Sequence, residues 1–158
     1  MPKPATKTPN YWIMKSEPHE FSIDDLKKKD VSIWDGIRNY QVRNMIRDVM
    51  RVGDRAFFYH SSSKEIGIVG EMELVKSAYP DPTQFSTKSK YFDKGSKKDE
   101  PRWLSVDVKF VEKFPRILTL AEIKLNPKFD TLPLVKKGNR LSIMPISKAH
   151  YDLIKKQL

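Results

Sequence analysis

The sequence predicts an α+β fold, a small mixed β-barrel of about five strands with helices between and after them. Apolar residues alternate in several short runs, which is the period of half-buried strands. These runs are separated by insertions of unequal length, two of which open with helix-capping sequences. The strands do not alternate regularly with long helices, which argues against a doubly wound parallel sheet. A chain of 158 residues suits one domain with its own core.

Tyr11-Trp12-Ile13-Met14-Lys15 reads as the first strand. Ser22-Ile23-Asp24-Asp25 is a capping box with Phe21 and Leu26 at the staple positions, so a short helix runs from Ser22 to about Lys29. Asn39 to Met50 reads as a second helix, because Val42, Met45, Ile46 and Val49 form one apolar face. Gly53 permits the turn that follows it. Arg55 to Ser61 is a strand that ends in a polar loop. Ile66, Ile68, Gly70, Met72 and Leu74 alternate along a long strand, and Tyr79-Pro80-Asp81-Pro82-Thr83 is a turn. Residues 86–101 are polar and read as a long mobile loop. Leu104, Val106, Val108 and Phe110 mark a further strand, and Thr119-Leu120-Ala121-Glu122 is a second capping box. Arg140 to Met144 is the last strand, followed by a helix capped by Ser147 with Tyr151 and Ile154 on one side. Residues 1–10, rich in Lys, Pro and Thr, are expected to be a flexible tail before a single domain over 11–158.

Composition narrows the function. The net charge of +10 favours a polyanionic partner, although the basic residues sit in short clusters such as Lys27-Lys28-Lys29 and not in a tail. No run of about 18 apolar residues exists, so no membrane span is expected. Met1 to Asn10 has no apolar stretch of the secretory type. The absence of cysteine excludes disulfides and thiolate metal sites, and it is compatible with a reducing cytoplasm.

Catalytic signatures are missing. There is no Gly-rich phosphate loop and no GxSxG elbow. The histidines, His19, His60 and His150, lie in no metal-binding spacing, so no metal is expected. His60 beside Ser61-Ser62-Ser63 is no nucleophile pair, because adjacent strand residues point to opposite faces. Glu17, Glu20 and Glu65 stand in polar segments as solvated carboxylates would.

Four segments interleave polar and aromatic residues where a strand meets a loop: Lys15-Ser16-Glu17-Pro18, Trp34 to Tyr40, Phe58-Tyr59-His60-Ser61 and Asn139-Arg140-Leu141-Ser142. Strand ends around a barrel rim converge and can share one mouth. Each candidate has two readings. Trp34 either stacks on a base or fills the core beside Val31 and Ile33. Arg38 either holds a phosphate or base edge, or pairs with Asp35 or Asp48. Asn39 either presents its amide to a base or caps the second helix. His60 faces a pocket or is a hydrogen-bonded core residue, and Ser16 and Ser61 bind a ligand or tie off strand ends. Trp103 walls the pocket or covers a second face of the barrel, and Arg140 takes a phosphate or a carboxylate.

At these residues the chain resembles the EVE domain family. The resemblance rests on Tyr11 to Pro18, Trp34-Asp35-Gly36-Ile37-Arg38-Asn39-Tyr40, Phe58-Tyr59-His60-Ser61, Tyr79 to Thr83 and Arg140-Leu141-Ser142-Ile143, in order. It implies a PUA-like mixed β-barrel of about five to six strands with flanking helices. The family is similar to YTH domains, which hold a methylated adenine in an aromatic cage. The implied function is a nucleic-acid-binding module that reads a modified base, with modified cytosine favoured, in DNA or RNA. No catalytic reaction and no cofactor are implied, and a monomer is expected. The alternatives are an enzyme acting on a modified base or nucleotide, and a sensor of a free nucleotide or other small molecule. Carried over by position, Trp34 matches the cage tryptophan, and Lys15, Ser16 and Glu17 match the strand end that lines the pocket. Asn39, His60, Ser61, Arg140 and Leu141 lie in matching motifs. Only ten residues precede Tyr11, where the family's eukaryotic nuclear member has a long disordered region; the expectation is a bacterial, cytoplasmic protein. Ser61 to Gly67 departs from the family's usual wording, which often carries a Cys and a Pro there.

Overall fold

The computed structural model describes residues 8–158. The expected flexible tail falls mostly on residues 1–7, outside the described residues. Within it, the Asn10 backbone N–H donates to Asp54 Oδ1 at 2.9 Å, and the Asn10 carbonyl accepts from Arg55.

Six strands form one mixed sheet: β1 (Tyr11–Ser16), β2 (Val31–Trp34), β3 (Arg55–His60), β4 (Gly67–Pro80), β5 (Leu104–Thr119) and β6 (Ile143–Ile146). Their order is β2-β5-β4-β3-β1-β6. β1 runs parallel to β3, with Tyr11 opposite Arg55 and Ser16 opposite His60, and all other pairings are antiparallel. The α+β class therefore holds, but the barrel expected from the strand count does not close through pairing. β2 and β6 are the two edges, and each has only four residues. Pro145 in β6 has no N–H to offer a further neighbour, a residue suited to an edge strand.

Local sequence explains the helices, α1 (Ile23–Lys29), α2 (Tyr40–Asp48), α3 (Leu120–Leu125) and α4 (Lys148–Lys156). Ser22 and Asp25 form the expected reciprocal capping box of α1. Asp24 and Asp25 in its first turn and Lys27 to Lys29 in its last turn complement the helix dipole. Asn39, Thr119 and Ser147 cap α2, α3 and α4 through their side-chain oxygens. α2 buries Val42 and Ile46 but stops at Asp48, so Val49 leaves the expected apolar face and is exposed.

Strand alternation sends residues to two cores, one on each face. Trp12, Met14, Ala56, Phe58, Met72, Val106 and Val108 pack with α1 and α2 on one face. Ile13, Phe57, Tyr59, Leu118 and Met144 pack with Ile123 of α3 and Ile154 of α4 on the other. Two strands exceed their sequence patterns. β4 continues through Tyr79-Pro80, so the expected turn begins only at Asp81. β5 continues to Thr119 despite Pro115, its register against β4 broken by several bulges.

Candidate functional site

A cavity of about 620 Å³ opens where the ends of β1, β2 and β3 and the entry to β6 converge. Backbone hydrogen bonds bring these ends together. The Lys15 N–H donates to the Ser142 carbonyl at 2.8 Å, and the Ser61 N–H to the Ser16 carbonyl at 3.0 Å. The Ser16 hydroxyl donates to the Phe21 carbonyl at 2.7 Å and folds the following segment back over the opening.

Of the residues singled out from the sequence, Lys15, Ser16, Glu17, Trp34, Ser61 and Arg140 line this cavity. Arg38, Asn39, His60, Trp103 and Leu141 do not, and each has a structural task. Asn39 caps α2, accepting from the Val42 N–H at 3.0 Å. The His60 Nε2 accepts from the Ile23 N–H at 3.1 Å, and the ring meets Phe58 edge-on. Burial holds the His60 ring below its ordinary pKa, consistent with a neutral acceptor. Leu141 is half-buried against the α1/α2-side core, its N–H tied to Asn139 Oδ1.

Arg38 is the centre of a clamp. Its Nη1 donates to Asp81 Oδ2 at 3.1 Å, Nη2 to Thr83 Oγ1 at 3.1 Å, and both Nε and Nη2 to the Tyr91 carbonyl. The partner foreseen was Asp35 or Asp48; the pair formed is with Asp81, whose side chain is 0% exposed. Asp81 also accepts from the Gly36 N–H at 2.8 Å and from Thr83. Gly36 has φ +80°, and a Cβ there would come within 2.6 Å of the Tyr91 ring. The clamp thus presses Tyr91 against the turn that follows Trp34.

The same clamp anchors the polar segment expected to be mobile. Gln84 Nε2 donates to the Asp81 and Trp103 carbonyls, and its Oε1 accepts from Ser96 and from the Trp103 N–H. Trp103 is 5% exposed, donates its indole N–H to Asp93 Oδ2 at 2.7 Å and packs against Tyr40. It belongs to this buttress and not to the cavity.

Trp34 fills the core as its second reading expected, and it also borders the cavity. It is 6% exposed and packs edge-on to Phe58 at 5.3 Å and Phe21 at 6.3 Å, yet it lines the cavity. Its indole N–H meets no acceptor among the described residues. Arg51 Nε is the only fully buried side-chain nitrogen or oxygen there without a partner, so the Trp34 N–H is open.

Phe21, Lys29, Ser32, Ile33, Lys90 and Tyr91 also line the cavity and escaped the sequence reading, whereas Asp35, Gly36, Ile37 and Ser142 lie in segments it singled out without being named as contacts. Lys90 and Tyr91 come from the polar segment and carried no signal. Burial pushes the Lys15 ammonium below its ordinary pKa. Burial, and then the neighbouring Asp81 carboxylate, push the Asp35 carboxyl above its ordinary value. At the edge, Glu20 pairs with Lys90, and Glu17 with His19 at 3.5 Å. Glu17, His19 and Glu20 bring ligand-type atoms within 4.8 Å of one another, a grouping hidden by the sequence test for histidine spacing. None of the helices among the described residues is long and apolar enough to cross a membrane.

Comparison with known proteins places this geometry. Mouse thymocyte nuclear protein 1 is 43% identical over 92% of this chain and 72% of its own length. A crystal structure of a protein from Pseudomonas syringae superposes with a TM-score of 0.90, at 46% identity over 93% of this chain and 98% of that one. Human THYN1, solved in complex with DNA containing 5-methylcytosine, superposes with a TM-score of 0.88, at 41% identity over 94% and 96% of the two chains. The EVE domain profile matches residues 10–157, and the chain belongs to the EVE domain family.

Proposed function

We propose that the protein binds nucleic acid and holds one flipped-out modified base, a modified cytosine in the favoured reading, in the cavity beside Trp34, without catalysing a reaction on it. The composition of that cavity carries the proposal. Phe21, Trp34 and Tyr91 give it aromatic walls, and the exposed cations Lys29, Lys90 and Arg140 stand around it. A volume of about 620 Å³ is ample for a nucleobase. Arg140 makes no ion pair or side-chain hydrogen bond among the described residues, so it is available to a phosphate. The +10 charge attracts the polyanion at longer range. The likeness to human THYN1, solved with 5-methylcytosine DNA, supports the choice of base.

In this reading Lys15, Ser16, Glu17 and Ser61 line the base site beside Trp34. Arg38, Asn39, His60, Trp103 and Leu141 act at one remove, by fixing the elements that carry the site. Trp34 has 6% of its surface open, so it offers an edge and not a full stacking face.

The test is titration of oligonucleotides carrying cytosine, 5-methylcytosine or 5-hydroxymethylcytosine at two salt concentrations. Binding should weaken as salt rises, because phosphate contacts release counterions. Trp34→Phe keeps the core filled and should reduce the preference for the modified base more than the overall affinity. Equal affinity for all three bases, untouched by Trp34→Phe, rejects the reader function. A changed nucleoside found by mass spectrometry after incubation supports an enzyme instead.

A further inference from the structure

Three carboxylates line the cavity, and they are not equivalent. Glu20 is paired with Lys90, and Glu17 with His19. Among the described residues no side chain hydrogen-bonds or ion-pairs with the Asp35 carboxylate, which has only its own backbone N–H; the cations Arg38 and Lys29 act on it through space. Arg38 cannot neutralise it directly, because its guanidinium is taken up by Asp81, Thr83 and the Tyr91 carbonyl. Beside Asp35, the open Trp34 indole N–H belongs to a side chain only 6% exposed. One cavity thus holds, on consecutive residues, a carboxylate with no side-chain partner and an indole N–H with no partner among the described residues.

We propose, resting on the base-reading function above, that Asp35 is a specificity-determining residue: its carboxylate accepts from the exocyclic amino group of the bound pyrimidine, while the Trp34 N–H donates to the adjacent ring acceptor. The cavity therefore selects an amino pyrimidine over its keto counterpart. An anion in this position repels phosphate, so the phosphates stay with Lys29, Lys90 and Arg140 and the neutral base edge enters. With the 5-methyl group against the apolar wall of Ile33, Trp34 and Ile37, position 4 of the ring is the next atom along. 5-Methylcytosine places N–H donors there, and a carboxylate accepts them. Thymine carries the same methyl group but places a carbonyl oxygen against the carboxylate, and a ring N–H where the Trp34 donor expects an acceptor. Both contacts then fail, and the carboxylate and indole N–H, covered by the bound base, are left without partners, which is heavily penalised.

The experiment uses three single-stranded oligonucleotides that differ at one base: 5-methylcytosine, thymine or cytosine. The full chain should bind the 5-methylcytosine strand about tenfold or more tightly than the thymine strand, the size expected of one charge-assisted hydrogen bond. Asp35→Asn should bring that ratio below about threefold, since an amide can turn either its oxygen or its nitrogen to the base. Asp35→Glu, which keeps an acceptor, should restore part of it. Asp35 is exposed, and an unchanged melting temperature establishes that the variants are folded. A wild-type protein that binds thymine as well as 5-methylcytosine, yet still prefers 5-methylcytosine to cytosine, overturns this inference and leaves the methyl reading intact. Equal binding of cytosine and 5-methylcytosine, both above thymine, upholds the inference and removes the methyl reading. Retention of the full ratio in Asp35→Asn also overturns it.

Discussion

Trp34 and Trp103 are buried to nearly the same extent, 6% and 5% exposed. Burial alone does not separate them; their indole nitrogens do. Trp103 gives its N–H to Asp93, just as Trp12 gives its own to the buried Asp54 at 2.9 Å. Trp34 gives its N–H to no described residue, and its open part lies on the cavity. A buried aromatic whose polar atom is satisfied holds the fold. One whose polar atom stays open beside a cavity is placed to meet a ligand.

The difference can be broken hardest at the clamp that supports Trp103. Arg38→Ala leaves Asp81 buried and without its cation, which should cost about 3–5 kcal/mol of stability. Denaturant unfolding measures this. Arg38→Lys should recover little, because an ammonium cannot reproduce the forked contacts to Asp81, Thr83 and Tyr91. Recovery of full stability in the lysine variant would show that charge alone, and not fork geometry, fixes the clamp.

Smaller effects come from replacing each tryptophan with phenylalanine. All three variants lose similar buried area, so their ranking isolates the N–H. Trp12→Phe removes a donor from a buried carboxylate and should be the most destabilising, by about 1–3 kcal/mol beyond the shared loss. Trp103→Phe should cost about 1 kcal/mol beyond it, because Asp93 is only partly buried. Trp34→Phe should show no such extra loss and should be the one that lowers oligonucleotide affinity. A Trp34→Phe protein as destabilised as Trp12→Phe would contradict the distinction.

Gly36→Ala tests the join between the two regions. Its positive φ and the Tyr91 ring at 2.6 Å predict a loss of about 1–3 kcal/mol and a displaced Tyr91 wall, read as weaker binding. The mildest effect is a pH dependence. Burial lowers the His60 pKa in the folded state, so the unfolded chain takes up the proton first. Stability is therefore complete above the unfolded value near 6.5 and declines as pH falls below it. His60→Gln, which keeps an acceptor for the Ile23 N–H, should flatten the dependence of melting temperature on pH attributable to this group.

What could be read from the sequence followed the range of the interactions. Ser22, Asn39, Thr119 and Ser147 were legible as caps because a cap joins residues two or three apart. Lys15, Ser16, Trp34, Ser61 and Arg140 were legible as a group because strand ends with mixed polar and aromatic residues tend to meet. β2 was hidden, since a four-residue strand shows too few alternations. The second half of β5 was hidden by Glu112, Lys113, Pro115 and Arg116, which break its alternation. Arg38 was assigned the wrong carboxylate because Asp81 lies 43 residues away, and Tyr91 was missed because it reaches the site through that same pair.

The parallel pairing of β1 with β3 has a consequence for biogenesis. β1 is the first strand synthesised, yet it sits inside the sheet, with β6 on its far side. Its second hydrogen-bonding edge stays bare until residues 143–146 arrive. Arg140 and Ser142, which complete the cavity, arrive just ahead of them. Until residues 143–146 are made, a growing chain carries an unfinished sheet edge that is open to strand addition. The cavity is complete only once the closing strand is in place.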